Sequence, residues 1–405
     1  MTANKNYQWV LIGVLSIHFG VVFFDRNAFG FLTSYIQPDL HLTNTQIGLI
    51  GGAFSLAWAA SGLTMGSLSD RFGHRKAILI VATIVFALSS VLSGIAPTFL
   101  MMLGARMIMG IAEGGIMPIT QTLIAAEVTP ERRGLAQGIT QNFGANLLAN
   151  SLGPILVVWM ADHFGWRNAF YLVALPGFLM ALVIGLVVRE PSEVEGRAKP
   201  TFADARKLLL DPNMVVCIVL SILLVAYFVI FSNFMPLYLV QNKKFDPATM
   251  SHIMSAMGFA SIAIAFIVPG LSDVLGRKPV AIVAGALGAI MPLGALLIDS
   301  TSVAPYYLAF AAGAAVTGVF PMAMATIPSE IVPRALTATA LSLTMGISEV
   351  IGGVFGPPAA GWMGDAFGLG AAMWILAGVS IAVGIVALFL RETAPQVLAR
   401  RAQHA

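Results

Sequence analysis

Apolar runs of roughly 18–25 residues recur along the chain, each closed by a short polar or charged stretch. They fall at about 9–34, 47–68, 77–96, 99–124, 136–160, 168–188, 214–239, 250–271, 279–298, 304–327, 336–361 and 370–390. A helix rises about 1.5 Å per residue, so about 20 residues cross the ~30 Å hydrocarbon layer of a bilayer. The pattern therefore predicts an all-α membrane protein of twelve transmembrane helices. The first run, Trp9 to Phe24, has the length of a signal-peptide core. No small-residue cleavage site follows it, only Asp25, Arg26 and bulky residues. It reads as a retained first helix.

The polar stretches sort the two sides of the membrane. Counting from Lys5, loops on the N-terminal side carry 17 of the 22 Lys and Arg residues, and the opposite side carries Arg167, Lys243 and Lys244. The remaining two, Arg26 and Arg106, fall inside runs. Basic loops stay in the cytoplasm during insertion, so both termini are expected there, with the chain in a bacterial inner membrane. The longest polar stretch, "REPSEVEGRAKPTFADARKLLLDP", begins at Arg189. The expected organisation is a six-helix bundle over 1–188, a cytoplasmic linker over 189–213, a second six-helix bundle over 214–391 and a tail over 392–405. Within the linker, "FADARKLL" is expected to form a short helix on the membrane surface.

Composition agrees with that reading. Hydrophobic residues make up 58% of the 405 positions and charged residues 10%, with mean hydropathy +0.86. Soluble domains carry about 25% charged residues. No basic stretch interleaved with aromatics suggests nucleic acid, no glycine loop suggests a nucleotide, and no His/Cys spacing suggests a metal. Neither an enzyme nor a cofactor is expected, and the chain is taken as a monomer. The single cysteine, Cys217, lies in an apolar run and is assigned to packing.

The two halves repeat at a shift of 203 residues. Leu68, Ser69, Asp70 and Gly73 of "GSLSDRFGHRK" match Leu271, Ser272, Asp273 and Gly276 of "PGLSDVLGRKP". Pro130 matches Pro333, Gly153-Pro154 matches Gly356-Pro357, and Asp162 and Phe164-Gly165 match Asp365 and Phe367-Gly368. One shift holding across three regions implies two bundles related by an axis along the membrane normal. Proteins built this way hold a solute near the midplane and rock one repeat against the other. "GSLSDRFGHRK", with its second copy, resembles the loop between helices 2 and 3 of the major facilitator superfamily. The resemblance runs from Asp25 to Arg391. It implies that helices 1, 4, 7 and 10 line a cavity and that helices 3, 6, 9 and 12 face lipid. Asp70, Arg71, Arg75, Asp273 and Arg277 are expected to latch the halves at their cytoplasmic ends, through arginines or helix N-termini. The alternative is a solvated cluster that only orients the chain.

Inside the runs, five charged residues remain beyond the loops: Asp25, Arg26, Arg106, Glu113 and Glu349. Each costs about 2.5–3.5 kcal/mol at a helix centre on insertion scales. Arg106 and Glu113 are seven residues apart, two turns along nearly one face. Arg26 can point at the cavity while Asp25, turned by about 100°, faces a neighbouring helix. A guanidinium fork suits a carboxylate and keeps its charge at any working pH. Carboxyl groups suit protons, because their proton affinity changes between wet and dry surroundings. The formal sum is +2 − 3 = −1, and a bound monoanion makes it −2, which favours protonating Asp25, Glu113 or Glu349. The repeat does not keep these charges: a shift of 203 gives Phe228, Val229, Ala309 and Val316, with Asn146 opposite Glu349. Tyr227, Asn233, Thr344 and Ser348 are candidate neutral contacts from the C-terminal half. Phe54, Trp58 and Phe143 are a candidate apolar wall, and His18 is read as a packing residue. A buried network that only fixes helix packing is the alternative for the charged set.

"DRNAFGF", "RMIMGIAEGGIMP", "PERRGLAQG" and "GWRNAFY" resemble one branch of the superfamily, the anion:cation symporters. The resemblance implies that Arg26 and Arg106 hold the substrate anion and that Asp25 and Glu113 carry protons. Glu349 and Trp58 are this chain's own departures. "SLGPILVVW" and "VFGPPAAGW" place Gly-Pro kinks at matching positions of helices 5 and 11. The expectation is proton-coupled uptake of a small organic anion, a carboxylate, by alternating access. The alternative is a proton-driven efflux antiporter for drugs or other cations.

Overall fold

Helices occupy all twelve expected positions in the computed structural model, which describes residues 5–72, 74–129, 132–190, 206, 208–299, 302–333 and 336–404. In chain order they are α1 Lys5–Leu40, α2 Asn44–Phe72, α3 Arg75–Ile95, α4 Phe99–Glu127 and α5 Leu135–Phe164. Then come α6 Trp166–Val187, α7 Pro212–Gln241, α8 Pro247–Leu275, α9 Arg277–Leu297, α10 Ala304–Ile331, α11 Thr339–Phe367 and α12 Gly370–Ala387. A final helix, α13, covers Pro395–His404. Among the described residues, eleven helices are long and apolar enough to cross a membrane, and α2 adds a rod of 29 residues. This is an all-helical, multi-pass membrane protein. The expected surface helix over 202–209 falls mostly outside the described residues.

Local chemistry sets the helix ends. Asp211 accepts hydrogen bonds from the N–H groups of Asn213 and Met214, and Pro212 fills the first position, where no N–H is needed. Asp246 and Pro247 repeat that device at α8. Gly165 (φ 81°, ψ 154°) alone separates α5 from α6, and Gly276 (φ 109°, ψ 151°) alone separates α8 from α9. That backbone region is open essentially to glycine only.

Several helices depart from α geometry around the centre of the molecule. Helix α5 carries π turns at Ile139–Phe143 and Ala145–Leu152, and α11 carries one at Glu349–Gly353. Asn146 and Glu349, partners under the repeat, both sit in such turns. The distortion is shared although the side chains differ. An extra residue per turn displaces side chains from the regular stripe, and such turns gather at functional sites.

The halves meet most closely on the face opposite the termini. A Cβ added to Gly48 would lie 2.2 Å from the Pro357 carbonyl oxygen, and one on Gly361 would lie 2.2 Å from that of Asn44. This seam joins α2 to α11. In the α5–α8 seam, a Cβ on Gly258 would lie 2.0 Å from the Asn150 oxygen. Only glycine permits these approaches. Side chains reinforce that face: Asp365 accepts from the N–H groups of Asn44 and Thr45, both at 2.8 Å, and from the Thr45 hydroxyl at 2.5 Å. Gln241 donates to Gln37 at 2.6 Å.

The expected latch is arranged differently. Arg277 pairs with Asp273 at 2.6 Å and with Glu330 at 2.7 Å, and the Thr393 hydroxyl donates to Glu330 at 2.6 Å. These partners all belong to the C-terminal half, so in this conformation Asp273 and Arg277 brace that half. The backbone N–H groups of Arg75 and Lys76 donate to Glu190 at 2.6 and 3.0 Å. Those of Arg277 and Lys278 donate to Glu392 at 2.8 and 3.4 Å. Each loop is thus tied to the segment that follows the last helix of its own half. Burial works against the Glu392 carboxylate. The N–H groups of Ala394, Arg277, Lys278 and Thr393 nevertheless hold its pKa below the ordinary value. The side chains of Asp70 and Arg71 lie outside the described set.

Candidate functional site

Two adjoining spaces lie between the halves. The larger, about 250 Å³, spreads from the centre toward the face that carries the termini, between α1, α2, α4, α5, α7, α8, α10 and α11. The smaller, about 40 Å³, lies deeper, beneath the closed seams, between α1, α2, α4 and α7. Arg26, Phe228 and Val229 line both.

Arg26 stands at their junction. Its guanidinium carbon is 4.5 Å from the centre of the Phe54 ring, 5.4 Å from that of Phe23 and 5.9 Å from that of Trp58. Aromatic faces hold a cation without neutralising it. One nitrogen of the fork lies 3.6 Å from Glu349 of the far half. That ion pair joins residues 323 positions apart (349 − 26) on α1 and α11.

Arg106 enters the small pocket from α4 and is 2% exposed. Phe29 and Phe170 flank it, with ring centres 5.0 and 5.2 Å away. One terminal nitrogen contacts the Arg26 carbonyl oxygen at 3.4 Å and the Met109 sulfur at 3.2 Å. Its Nε and Nη2 have no hydrogen-bond partner, and it forms no ion pair among the described residues. Asn27 and Asn233 line the same pocket, and the Asn233 amide nitrogen is unpartnered. Five donor-bearing side chains, Ser232 being the fifth, thus line a small space.

The acids are placed apart from that space. Asp25 turns away from Arg26 and accepts the Ser90 hydroxyl of α3 at 2.7 Å, leaving its second oxygen unpaired. Glu113 is 2% exposed, and neither of its oxygens has a partner. It lies within electrostatic reach of Arg26, Asp25 and Arg106. Glu349 lines the larger cavity.

Three neutral candidates are corrected by the geometry. Tyr227 keeps its ring at the cavity wall but donates its hydroxyl to the Gly288 carbonyl at 2.9 Å, turned away from the solute space. Thr344 donates to the Ala340 carbonyl at 2.9 Å, and Ser348 to that of Thr344 at 2.7 Å. Both are fully buried within their own half and line neither space. Of the aromatic wall, Phe54 and Trp58 line the spaces, while Phe143 is 45% exposed and lines neither. His18 pairs with Thr83 at 2.9 Å, and Cys217 is buried.

An amide chain was missed from sequence. Asn27 donates to Asn150 at 3.1 Å, and Asn150 donates to Asn146 at 3.1 Å. Asn142, Asn146 and Asn150 recur every fourth residue, which places them on one face of α5. That spacing is the signal that could have found them.

Comparison with known proteins places this geometry in a family. The family description "Major Facilitator Superfamily" matches residues 15–350. A probable sulfoacetate transporter of Cupriavidus necator, SauU, is 31% identical over 161 residues, covering 40% of this chain and 37% of that one. A probable 4-methylmuconolactone transporter of Cupriavidus pinatubonensis is 28% identical over 337 residues, covering 81% and 78%. The multidrug resistance protein MdtL of Klebsiella pneumoniae is 25% identical over 358 residues, covering 88% of each chain. The crystal structure of a bacterial homolog of the human lysosomal transporter Spinster, inward-facing and unoccupied, superposes with a TM-score of 0.76 at 20% identity over 98% of both chains. The chain belongs to the Major Facilitator Superfamily and is a secondary transporter rather than an enzyme.

Proposed function

We propose that this transporter takes up a small organic anion, a carboxylate, together with protons, across a bacterial inner membrane with both termini in the cytoplasm. One observation carries the reading. Arg26 and Arg106 line one buried pocket at the meeting of the halves, and two nitrogens of Arg106 lack partners. A buried cation with unused donors is costly to leave so. A bidentate oxyanion supplies what is missing.

Proton coupling follows from the charge balance. An anion arriving at Arg26 competes with Glu349 for the same fork. The released Glu349 then carries a buried negative charge, which a proton removes. Asp25 and Glu113 are further proton sites beside the arginines. The latch reading for Asp70, Arg71, Arg75, Asp273 and Arg277 belongs to the opposite conformation, since the cavity here spreads toward the termini and the far face is closed. With termini in the cytoplasm, that is an inward-facing state.

Kinship supports two substrate classes, since the relatives include sulfoacetate and multidrug proteins. The aromatic cavity wall is the observation that favours efflux of an apolar cation. Two arginines around the deeper pocket oppose it. The test is uptake into proteoliposomes with an inward proton gradient. Labelled carboxylates should accumulate, and Arg106→Ala should abolish the accumulation. Extrusion of a cationic dye that survives Arg106→Ala would overturn the reading.

A further inference from the structure

Both halves line the larger cavity with rings, but its amides and its arginine come from the N-terminal half, and that difference narrows the solute. From the N-terminal half, Gln141, Asn142, Asn146, Asn150 and Arg26 face the space beside Phe19, Phe23, Trp58 and Met117. From the C-terminal half come rings and thioethers, among them Phe228, Phe231, Phe320, Met257, Met324 and Met345. The hydroxyl groups that could have offset them are used elsewhere. That of Tyr227 is bonded to Gly288, that of Thr317 to Ala314 at 2.7 Å, and those of Thr344 and Ser348 to their own helix. Glu349 is the acidic side chain on that wall, and it faces Arg26.

We propose that the solute is a ring-bearing monocarboxylate rather than a polyhydroxylated acid. Its carboxylate enters the small pocket between Arg26 and Arg106, and its ring stays in the larger cavity against the C-terminal wall. This rests on the anion reading above and goes beyond it. The two spaces have the sizes such a molecule needs: about 40 Å³ for the head and about 250 Å³ for the body. They meet at Arg26 and Phe228, so head and ring can be held at once. The planes of Tyr227 and Phe231 lie within 4° of each other, with centres 6.2 Å apart, so two parallel rings stack within that wall's apolar face. A flat apolar ring loses only water on meeting that face. The hydroxyls of a sugar acid would lose their hydrogen bonds to water and find no replacement there.

The test is calorimetric titration of the purified, lipid-reconstituted protein with benzoate, cyclohexanecarboxylate, gluconate, acetate and the neutral benzamide. Benzoate and cyclohexanecarboxylate should bind at least about tenfold more tightly than gluconate, and benzamide should not bind. Phe228→Ala should weaken benzoate about tenfold and acetate less than that. Phe228→Leu, which keeps most of the volume, should weaken benzoate less, and melting curves confirm that both variants are folded. Gluconate binding as tightly as benzoate overturns this inference while leaving the anion reading in place. Binding of no carboxylate at all overturns both.

Discussion

The α2–α11 and α5–α8 seams are partners under the repeat, yet they are held in different ways. At the first, Asp365 reaches across and accepts the N–H groups of Asn44 and Thr45. At the second, the equivalent Asp162 accepts the Tyr35 hydroxyl of its own half at 2.6 Å. The cause lies at the helix starts. Helix α2 satisfies its third N–H locally, through a reciprocal Thr43–Gln46 pair at 3.0 and 3.1 Å, and its first two donors remain for Asp365. Helix α8 begins with Pro247, which has no N–H, and Asp246 accepts from Thr249 at 2.9 Å. A helix whose first N–H is absent and whose next donors meet its own cap has no use for a carboxylate from the far half. Close packing is common to both seams, and the polar bolt belongs to one.

Three experiments press on that contrast, in a Cys217→Ala background with Ser232→Cys, which lines the small pocket beneath the closed seams, labelled by a membrane-impermeant reagent added only at the far face. The largest effect is expected from wedges. Gly361→Val and Gly258→Val each force backbone apart, at a cost of about 1–3 kcal/mol on the closed state. Both should raise thiol labelling about tenfold or more, and a wedge that works in one seam alone would break the claim of shared packing. A smaller effect is expected from the bolt. Asp365→Ala removes an exposed cap worth about 1 kcal/mol, so labelling should rise about fivefold. Asp162→Ala should change it less than twofold, and an equal response would erase the distinction. The smallest effect concerns pH. The N–H and hydroxyl of Thr249 hold the Asp246 pKa below its ordinary value. A group lowered on folding adds stability above its unfolded pKa, near pH 4, and loses it as pH falls through the folded value. Asp246→Asn should therefore flatten the acid limb of the melting curve, and an unchanged limb would show that the self-cap contributes nothing.

Much of this was legible in the sequence. Twelve apolar runs announced twelve helices, and a single shift paired Asp162 with Asp365 and Gly165 with Gly368. The shift establishes equivalence of position, however, and cannot say which neighbour each aspartate finds. That depends on Pro247 standing where the other half has Asn44. Helix geometry alone required Arg26 and Asp25 to diverge, though not which of them faces the cavity. Thr344 and Ser348 misled because a buried helical hydroxyl can return to the carbonyl a turn behind it, and nothing in the residue type announces that choice. The Arg26–Glu349 pair was invisible because no local spacing links positions on helices from different halves.

The glycine joints carry a consequence for the surrounding lipid. With Gly165 alone between α5 and α6, and Gly276 alone between α8 and α9, each pair must turn as one lever. A one-residue link leaves little slack, so motion at the central seams would carry the outer helices α6 and α9 against the acyl chains. Turnover should accordingly slow in stiffer or thicker bilayers, making the membrane itself a brake on the machine.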